Sequence, residues 1–264
     1  MPVDKFGCCA GKRGATGEEG PPGKKGKDGD SIIYTYFSRQ ALRWFRENAN
    51  GCFYFKKKDD FIWKNEAVIG FKSQSRYHPV NALSLNDPLT AVELDRVWCA
   101  YFAGKSMLTV KDLDISSNLY VTVVLTFRCT EEIIKSEENI ITDSDRAITI
   151  LEGDIRIFGT TTTSLRITPP RKLNQWNTIF VQWGPDADRS GHVYVGVDKD
   201  AKHVTFASTR SSSHYRELHI GGLNQTTFSG IIAYMAALEV YLTETPIPEE
   251  IRKLVMEDQH NMIR

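Results

Sequence analysis

The stretch "LYVTVVLTF", Leu119–Phe127, decides the fold of this chain. Its odd-numbered positions are all apolar, namely Leu119, Val121, Val123, Leu125 and Phe127. Its even-numbered positions include Tyr120, Thr122 and Thr126. Alternation with a period of two, carried by β-branched and aromatic residues, is typical of a strand. We therefore predict a β-strand that turns one apolar face toward a core.

Neighbouring stretches repeat this pattern. "WNTIFVQW" (176–183) and "GHVYVGVD" (191–198) alternate in the same way, and the Gly-, Pro- and Asp-rich "GPDADRSG" (184–191) joins them. Such a turn between two strands predicts a hairpin. "GIIAYMAALEVYL" (230–242) is apolar on both faces and predicts a long strand buried between layers. Short strands with turns between them predict a mostly β chain, an antiparallel jelly-roll β-sandwich.

Two helices are also predicted. The first spans Ser38–Asn48 and places Ala41, Leu42 and Phe45 on one face. The second spans Pro248–Gln259, with proline at its first position, acids in its first turn and one apolar side formed by Ile251, Leu254 and Val255. Proline and acidic residues are favoured at a helix N-terminus.

The order of motifs in the second half resembles the concanavalin A-like sandwich, including its laminin G-like and pentraxin-like members. The motifs are "LNQWNTIFVQWG", "GHVYVGVDKD", "ELHIGG" and "FSGIIAYMAALEVYLTETPIPEEIRKLVMEDQ", and "RVWCAYFAGKSMLTVKDLDISSNLYVTVVLTFR" resembles the front half. The resemblance implies a laminin G-like β-sandwich domain over 71–264, made of two antiparallel sheets. It also implies binding of glycans or proteins, often with calcium at a loop edge. Residues 32–70 become a connecting segment with a short helix and strands, or a trimer contact.

The N-terminal part of the chain has a different pattern. In "GKRGATGEEGPPGKKGKDGD" glycine occupies every third position, at Gly11, Gly14, Gly17, Gly20, Gly23, Gly26 and Gly29. The tract, assigned to 11–31, resembles collagen, which implies that three chains wind together because only glycine fits at their shared axis. The alternative is a charged flexible linker. Proline fills one triplet only, so a triple helix this short needs a partner at one or both ends.

Five cysteines divide into two groups. Cys8 and Cys9, in the N-terminal segment 1–10, are candidates for interchain disulfides that staple the tract, or else two free thiols. Cys52, Cys99 and Cys129 lie in the remaining chain. Because five is odd, at least one thiol is free or intermolecular. A Cys99–Cys129 bridge and buried free cysteines are both compatible with the pattern.

Composition bounds the class of protein. The chain has 264 residues, of which 41% are hydrophobic and 25% charged, and its formal net charge is zero. These percentages are typical of a globular domain, and a net charge of zero argues against nucleic acid as a partner. The sequence also contains no apolar run long enough to span a membrane. Cysteines beside a collagen-like tract favour an extracellular location, secreted or surface-displayed, although no signal peptide is visible. Asn224, in Asn224-Gln225-Thr226, is a candidate glycosylation site.

Candidate chemistry is sparse. Asp186, Asp188 and Ser190 place oxygens at alternate positions and offer a possible calcium loop, although a plain hairpin turn is the preferred interpretation because Val197 stands where a bidentate Glu would be needed. No other cofactor is expected. Glu93-Leu94-Asp95 begins the carboxylate pattern of polysaccharide hydrolases, but Trp98 stands where the last acid belongs. The six histidines lie outside catalytic motifs. We therefore expect a protein that is not an enzyme.

These features together predict a homotrimer in which a collagen-like tract clusters lectin-like heads. The expected role is extracellular recognition or adhesion, with a glycan or a matrix protein as ligand. The alternative is a structural collagen-like protein whose heads only trimerise the chains. The sequence does not identify ligand-binding residues, although loop ends around Tyr215 and Asn224 are one hypothesis.

Overall fold

The structure is a computed structural model. It describes residues 40–42, 51–54, 64–65, 79–82, 90–104, 107–110, 118–142, 146–159, 164–185, 187–197, 199, 201–208, 218–221 and 229–263. All of them belong to one compact unit, Ser38–Arg264. No helix in this described part of the chain has the length and apolar run needed to cross a membrane.

The described residues form strands and one long helix. The strands are β1 (Gly51–Tyr54), β2 (Lys64–Asn65), β3 (Pro79–Ala82), β4 (Thr90–Leu94), β5 (Val97–Ala103), β6 (Met107–Val110), β7 (Tyr120–Cys129), β8 (Glu138–Thr142), β9 (Arg146–Leu151), β10 (Asp154–Gly159), β11 (Ser164–Ile167), β12 (Asn177–Trp183), β13 (Ser190–Val195), β14 (Lys202–Ala207), β15 (Leu218–Ile220), β16 (Ser229–Gly230) and β17 (Ile232–Thr243). The helix, α1, spans Glu249–Asn261.

The strands form two sheets. The first has the order β14-β13-β12-β7-β17-β1-β2, and β5 pairs with both β17 and β4. The second has the order β11-β10-β9-β8-β15-β6-β3, with the short β16 beside β8. Every pairing is antiparallel except that of β16 with β8. The chain is therefore the predicted mostly β, two-sheet antiparallel sandwich with a short C-terminal helix.

Strand β7 confirms the alternation from which the fold was predicted. Val121, Val123, Leu125 and Phe127 are buried in the core between the two sheets. Thr122 and Thr126 are fully buried on the opposite face, where Val124 packs beneath helix α1. The face predicted to be polar is therefore covered as well, because the helix lies across it.

The predicted hairpin and long strand are also present. Strands β12 and β13 pair through Ile179↔Val195 and Val181↔Val193, and the apolar members of both enter the core. Strand β17 pairs with β7 from Ala233 to Thr243, with one irregularity between Met235 and Ala237, and packs apolar side chains on both faces. Val197, predicted as part of the hairpin, lies beyond the end of β13 and packs beside the helix.

Helix α1 begins where it was predicted, but its buried face differs from the predicted one. Pro248 is its N-cap residue rather than its first helical residue. The buried residues are Arg252, Val255, Met256, Gln259 and His260, so polar side chains dominate the contact. Ile251 and Leu254, predicted on the apolar side, are only half-buried. The prediction was wrong here because the surface beneath the helix carries threonine hydroxyls, which favour hydrogen-bonding partners.

The segment 32–70 contributes strands to the sandwich. Residues 40–42 are helical, within the predicted first helix, and Leu42 is buried in the same cluster as Val255 of α1. Strand β1 pairs with β17 through Phe53↔Leu238, next to the centre of the first sheet. Of the two interpretations that the sequence leaves open for this segment, extra strands are present.

Gly221, from the "HIGG" motif, tests the packing of the core. Its φ is +78°, and a Cβ there would collide with the ring of the fully buried Phe102. We expect Gly221→Ala to lower the free energy of unfolding by about 3 kcal/mol or more, through overpacking added to left-handed backbone strain. Urea unfolding followed by circular dichroism measures the change.

Gly153→Ala is the matched control. Gly153 also has a positive φ, +86°, but its added Cβ would meet only the Glu132 carbonyl oxygen, at 3.9 Å. Backbone strain alone predicts a loss of about 1–2 kcal/mol. Equal losses in the two variants would contradict the packing argument at Phe102.

Candidate ligand-binding cleft

An open cleft lies at the end of helix α1, against the first sheet. Its volume is about 430 Å³, and its lining residues are Asp95, Arg128, Arg171, Asn174, Gln175, Trp176, His260 and Ile263. We call it the Trp176 cleft. Its size falls within the range of small-molecule sites, roughly 300–1,000 Å³. A smaller hollow of about 130 Å³ shares Arg171, Trp176 and His260 with it.

Trp176 forms an apolar wall of this cleft. Its side chain is 8% exposed and packs with Val97, Cys99 and Ala236 on the outer face of the first sheet. The indole Nε1 has no hydrogen-bond partner among the described residues. A buried N–H without an acceptor is unfavourable by about 1–3 kcal/mol.

The loop that carries Trp176 is held at several points. The side chain of Leu173 is buried in the core, and its carbonyl accepts a hydrogen bond from the Cys129 amide at 2.8 Å. Asn177 Nδ2 donates to the carbonyls of Lys172 and Gln175, at 3.1 and 2.8 Å. These bonds fix the backbone between Lys172 and Gln175. The side-chain amides of Asn174 and Gln175 therefore project from a rigid support.

A hairpin turn supplies the charged rim. Asp95 and Arg96 join β4 to β5 with φ values of 53° and 67°, the left-handed pair expected of a two-residue turn. Asp95 Oδ2 lies 2.5 Å from Arg128 Nη1, with the two side chains 60% and 29% exposed. An ion pair this exposed adds little stability. Its main consequence is to hold a carboxylate and a guanidinium side by side at the cleft.

His260 borders the cleft from the last turn of α1, and a buried polar network fixes it. His260 Nδ1 lies 3.3 Å from Thr178 Oγ1, which is hydrogen-bonded to Thr126 Oγ1 at 2.9 Å. Thr126 also donates to Gln259 Oε1 at 3.0 Å. The end of the helix is thus tied to strands β7 and β12 through side chains. This arrangement sets the position of one side of the cleft.

Most of the predicted site residues fall outside the described part of the chain. These are Cys8, Cys9, Gly11, Gly14, Gly17, Gly20, Gly23, Gly26, Gly29, Asp186 and Asn224, together with Tyr215. Their roles stay predictions.

Asp188, the other candidate calcium ligand, is described. Its Oδ2 accepts a hydrogen bond from the Tyr120 hydroxyl at 2.6 Å, and its Oδ1 accepts one from the Ser190 amide at 3.1 Å. The Tyr120 bond lowers the pKa of Asp188 and raises the pKa of Tyr120 to about 12. Among the described residues, no three His, Cys, Asp or Glu side chains are grouped to hold a metal ion. Asp188 therefore fastens the β12–β13 turn to β7.

Cys99 and Cys129 are free and buried. Cys129 lies in the core between the sheets, whereas Cys99 packs against Trp176 on the outer face of the first sheet. Burial raises the pKa of Cys99 to about 12 and also raises that of Cys129. Of the two possibilities left open by the sequence, buried free thiols are present.

The cleft was not found from the sequence, because its walls come from four separate parts of the chain. Asp95, Arg128, Trp176 and His260 belong to a turn, a strand, a loop and a helix. One local feature of the sequence could have indicated the cleft. "NQW" (174–176) places two side-chain amides and an aromatic residue directly before a buried strand. Side-chain amides beside a tryptophan place hydrogen-bonding groups next to an apolar ring.

No protein-family model matches the chain, and no curated protein is detectably similar to it in sequence. Solved structures are similar in fold. Trypanosoma rangeli sialidase in complex with sialic acid is 12% identical with a TM-score of 0.54, over 89% of this chain and 39% of the sialidase. The binding domain of Paraclostridial Mosquitocidal Protein 1 is 10% identical with a TM-score of 0.55, over 82% and 53%.

A mutant of HCR/D is 11% identical with a TM-score of 0.55, over 81% of this chain and 52% of that protein. The chain thus spans between 39% and 53% of the length of these three proteins. Identities this low establish the fold alone. The similarity agrees with the predicted two-sheet β-sandwich fold.

The Tyr120–Asp188 bond predicts a pH-dependent loss of stability. We expect Tyr120→Phe to lower the free energy of unfolding by about 1 kcal/mol at pH 7, since it removes a hydrogen bond to a carboxylate. The folded-state pKa of Asp188 is lowered, so its contribution is present above its ordinary pKa, about 3.9, and is lost as the pH falls through the folded value. Urea unfolding at pH 7 and pH 3 should show the difference between wild type and variant shrinking in acid.

Tyr101→Phe is the control for this measurement, since the Tyr101 hydroxyl has no hydrogen bond among the described residues and its ring only packs on Tyr234, at a centroid distance of 5.0 Å. A loss of stability in Tyr101→Phe equal to that in Tyr120→Phe would show that the Asp188 bond has no special contribution.

Proposed function

We propose that this protein is an extracellular recognition or adhesion protein whose β-sandwich head binds a glycan in the Trp176 cleft. The lining of the cleft carries this proposal. Planar polar side chains, from Asp95, Arg128, Asn174 and Gln175, surround an aromatic wall formed by Trp176. Polar groups that converge on an apolar wall in a concave site are the usual arrangement of a small-ligand site.

This lining suits the chemistry of a sugar. Neighbouring hydroxyls of a sugar ring act as donors and acceptors together, and amide, carboxylate and guanidinium groups present two hydrogen-bonding atoms in one plane. The side-chain amides of Asn174 and Gln175 make no hydrogen bond with described residues, whereas the backbone of Gln175 bonds to Lys172 and Asn177. A ligand therefore need not displace a protein partner from these two side chains. The C–H faces of a sugar ring are apolar and favour contact with an indole.

The similar structures support a carbohydrate ligand. One of them, the Trypanosoma rangeli sialidase, binds sialic acid on a chain that includes this fold. Another is the binding domain of Paraclostridial Mosquitocidal Protein 1. A sugar with a carboxylate is compatible with the Trp176 cleft, because Arg171 and Arg128 outnumber the single acid Asp95 among its lining residues.

We propose binding without hydrolysis. Glycoside hydrolysis by the common mechanisms needs two carboxyl groups that flank the bond to be cleaved. Among the described residues that line the cleft, Asp95 is the only carboxylate, and it pairs with Arg128. The described lining therefore offers one carboxyl group where the common mechanisms need two.

The N-terminal tract completes the proposal. The collagen-like repeat of residues 11–31, with Cys8 and Cys9 before it, would gather three heads into a homotrimer. A shallow site with few polar groups binds one sugar weakly. Tethering several such sites raises the overall affinity for a repeated ligand by roughly 100- to 10,000-fold.

Asp95→Asn tests the cleft. Asparagine tolerates the left-handed backbone at this position, so the turn should persist while the charge and its bond to Arg128 are lost. We expect binding of the full chain to glycans on an array to weaken about tenfold, equivalent to about 1.4 kcal/mol. Calorimetry with the strongest glycan then gives the dissociation constant.

Glu152→Gln is the matched control, because Glu152 occupies the first position of the β9–β10 turn with the same φ of 53°. It should bind glycans like wild type. Equal binding by wild type and Asp95→Asn would place the site elsewhere. If the wild-type chain binds no glycan but binds a matrix protein, or binds nothing and trimerises without residues 1–30, the glycan proposal is wrong.

The trimer has a test of its own. Analytical ultracentrifugation of the full chain should show a trimer, and replacing both Cys8 and Cys9 with serine should shift the equilibrium toward monomer, because a short triple helix needs a staple. Circular dichroism should show a cooperative triple-helix transition. A monomer in the presence and absence of reductant, with no such transition, would contradict this part of the proposal.

A further inference from the structure

Two histidines face each other on the outer surface of the first sheet, away from the Trp176 cleft. His192 lies on β13 and His203 on β14, and the register pairs His192 with Thr205 and Tyr194 with His203. The two histidines are therefore diagonal neighbours on one face. His192 Nδ1 and His203 Nε2 are 3.4 Å apart, whereas the ring centroids are 5.7 Å apart. The two nitrogens thus lie on the facing edges of the rings.

The distance between the two ring nitrogens matches the distance between two ligand atoms bound to one metal ion. Zinc binds histidine nitrogens at about 2.0–2.1 Å, and two such nitrogens in a tetrahedral arrangement are about 3.3–3.4 Å apart. We propose that His192 and His203 form a two-histidine site for a divalent transition metal such as Zn²⁺ or Cu²⁺. Water completes the coordination, since the described residues offer no group of three ligands.

The pair is held in place by its surroundings. Backbone pairing of β13 with β14 fixes the distance between the two Cα atoms. The ring of Tyr194 stacks on His203, with a centroid distance of 4.0 Å and an interplanar angle of 2°. The Arg252 guanidinium lies 3.5 Å from the centroid of the same tyrosine. Ligands whose orientation is already set lose less entropy when they bind an ion.

Two acids lie near the pair. Asp188 is close enough to interact with His192, and Glu249 is close enough to interact with His203. Both carboxylates would offset part of the charge of a bound cation.

A direct hydrogen bond between the rings is the competing explanation. Ordinary N–H···O bonds span about 2.7–3.2 Å, so 3.4 Å is long for a bond between two ring nitrogens. The pair therefore loses only a weak hydrogen bond when an ion binds between the two rings. Both side chains are accessible, since His203 is exposed and His192 half-buried.

Isothermal titration calorimetry of the full chain with zinc chloride at pH 7.5 tests the site. The double variant His192→Gln/His203→Gln is the reference, because cysteines elsewhere in the chain can also bind zinc. We expect one additional binding event per chain in wild type, weakened about tenfold or more in either single variant. Copper(II) should bind this site more tightly than zinc, as divalent ions generally do in this order.

Lys202→Gln is the control on the same strand and should retain the event. His192→Gln leaves the Tyr194–His203 stack intact. Weaker zinc binding in this variant would therefore come from the lost ligand and not from a disturbed surface around His203. Identical zinc titrations of wild type and the double variant would overturn the proposal, as would loss of the event in Lys202→Gln. None of these outcomes depends on glycan binding.

Discussion

The centre of the first sheet is buried on both faces, and the rest of the structure depends on this constraint. Strand β7 lies between β12 and β17, so it has a pairing partner on both sides. One side of β7 fills the core between the sheets, while Thr126 and Val124 on the other side are buried under helix α1. A buried hydroxyl without a partner would cost about 1–3 kcal/mol. The helix therefore needs polar groups such as Gln259 on the face that meets the sheet.

The requirement for polar contacts also positions the cleft. Gln259 bonds to Thr126 and to the Val124 carbonyl, and His260 approaches Thr178. These contacts fix the position of the last turn of α1 on the sheet. The loop before β12 is fixed independently, through the burial of Leu173 and the bonds of Asn177. Both walls of the Trp176 cleft are thus set by contacts that stabilise the fold. Such preorganisation reduces the entropy lost when a ligand binds.

The sequence predicted the strands because their signal is local. In β7, β12 and β17 successive side chains point to opposite faces of the sheet, so the alternation of residue types along the sequence indicates which residues face the core. The helix was predicted in position but not in orientation, because Arg252 and Gln259 are buried against partners that are distant in sequence. The cleft and the histidine pair were missed for the same reason. Periodicity does not say that Asp95 meets Arg128, or that His192 meets His203, until the pairing of strands is known.

The shape of the cleft and the proposed trimer bear on each other. The Trp176 cleft is open, and its most exposed polar groups are two amides and one ion pair, so a single head offers few desolvated contacts. Affinity depends on such buried contacts more than on area. A protein that relies on open sites gains most from joining several of them, provided that the tether reaches the spacing of the ligand. In that case the short N-terminal tract has to set the number of chains rather than the distance between heads, and a partner at one or both of its ends has to hold the three chains together.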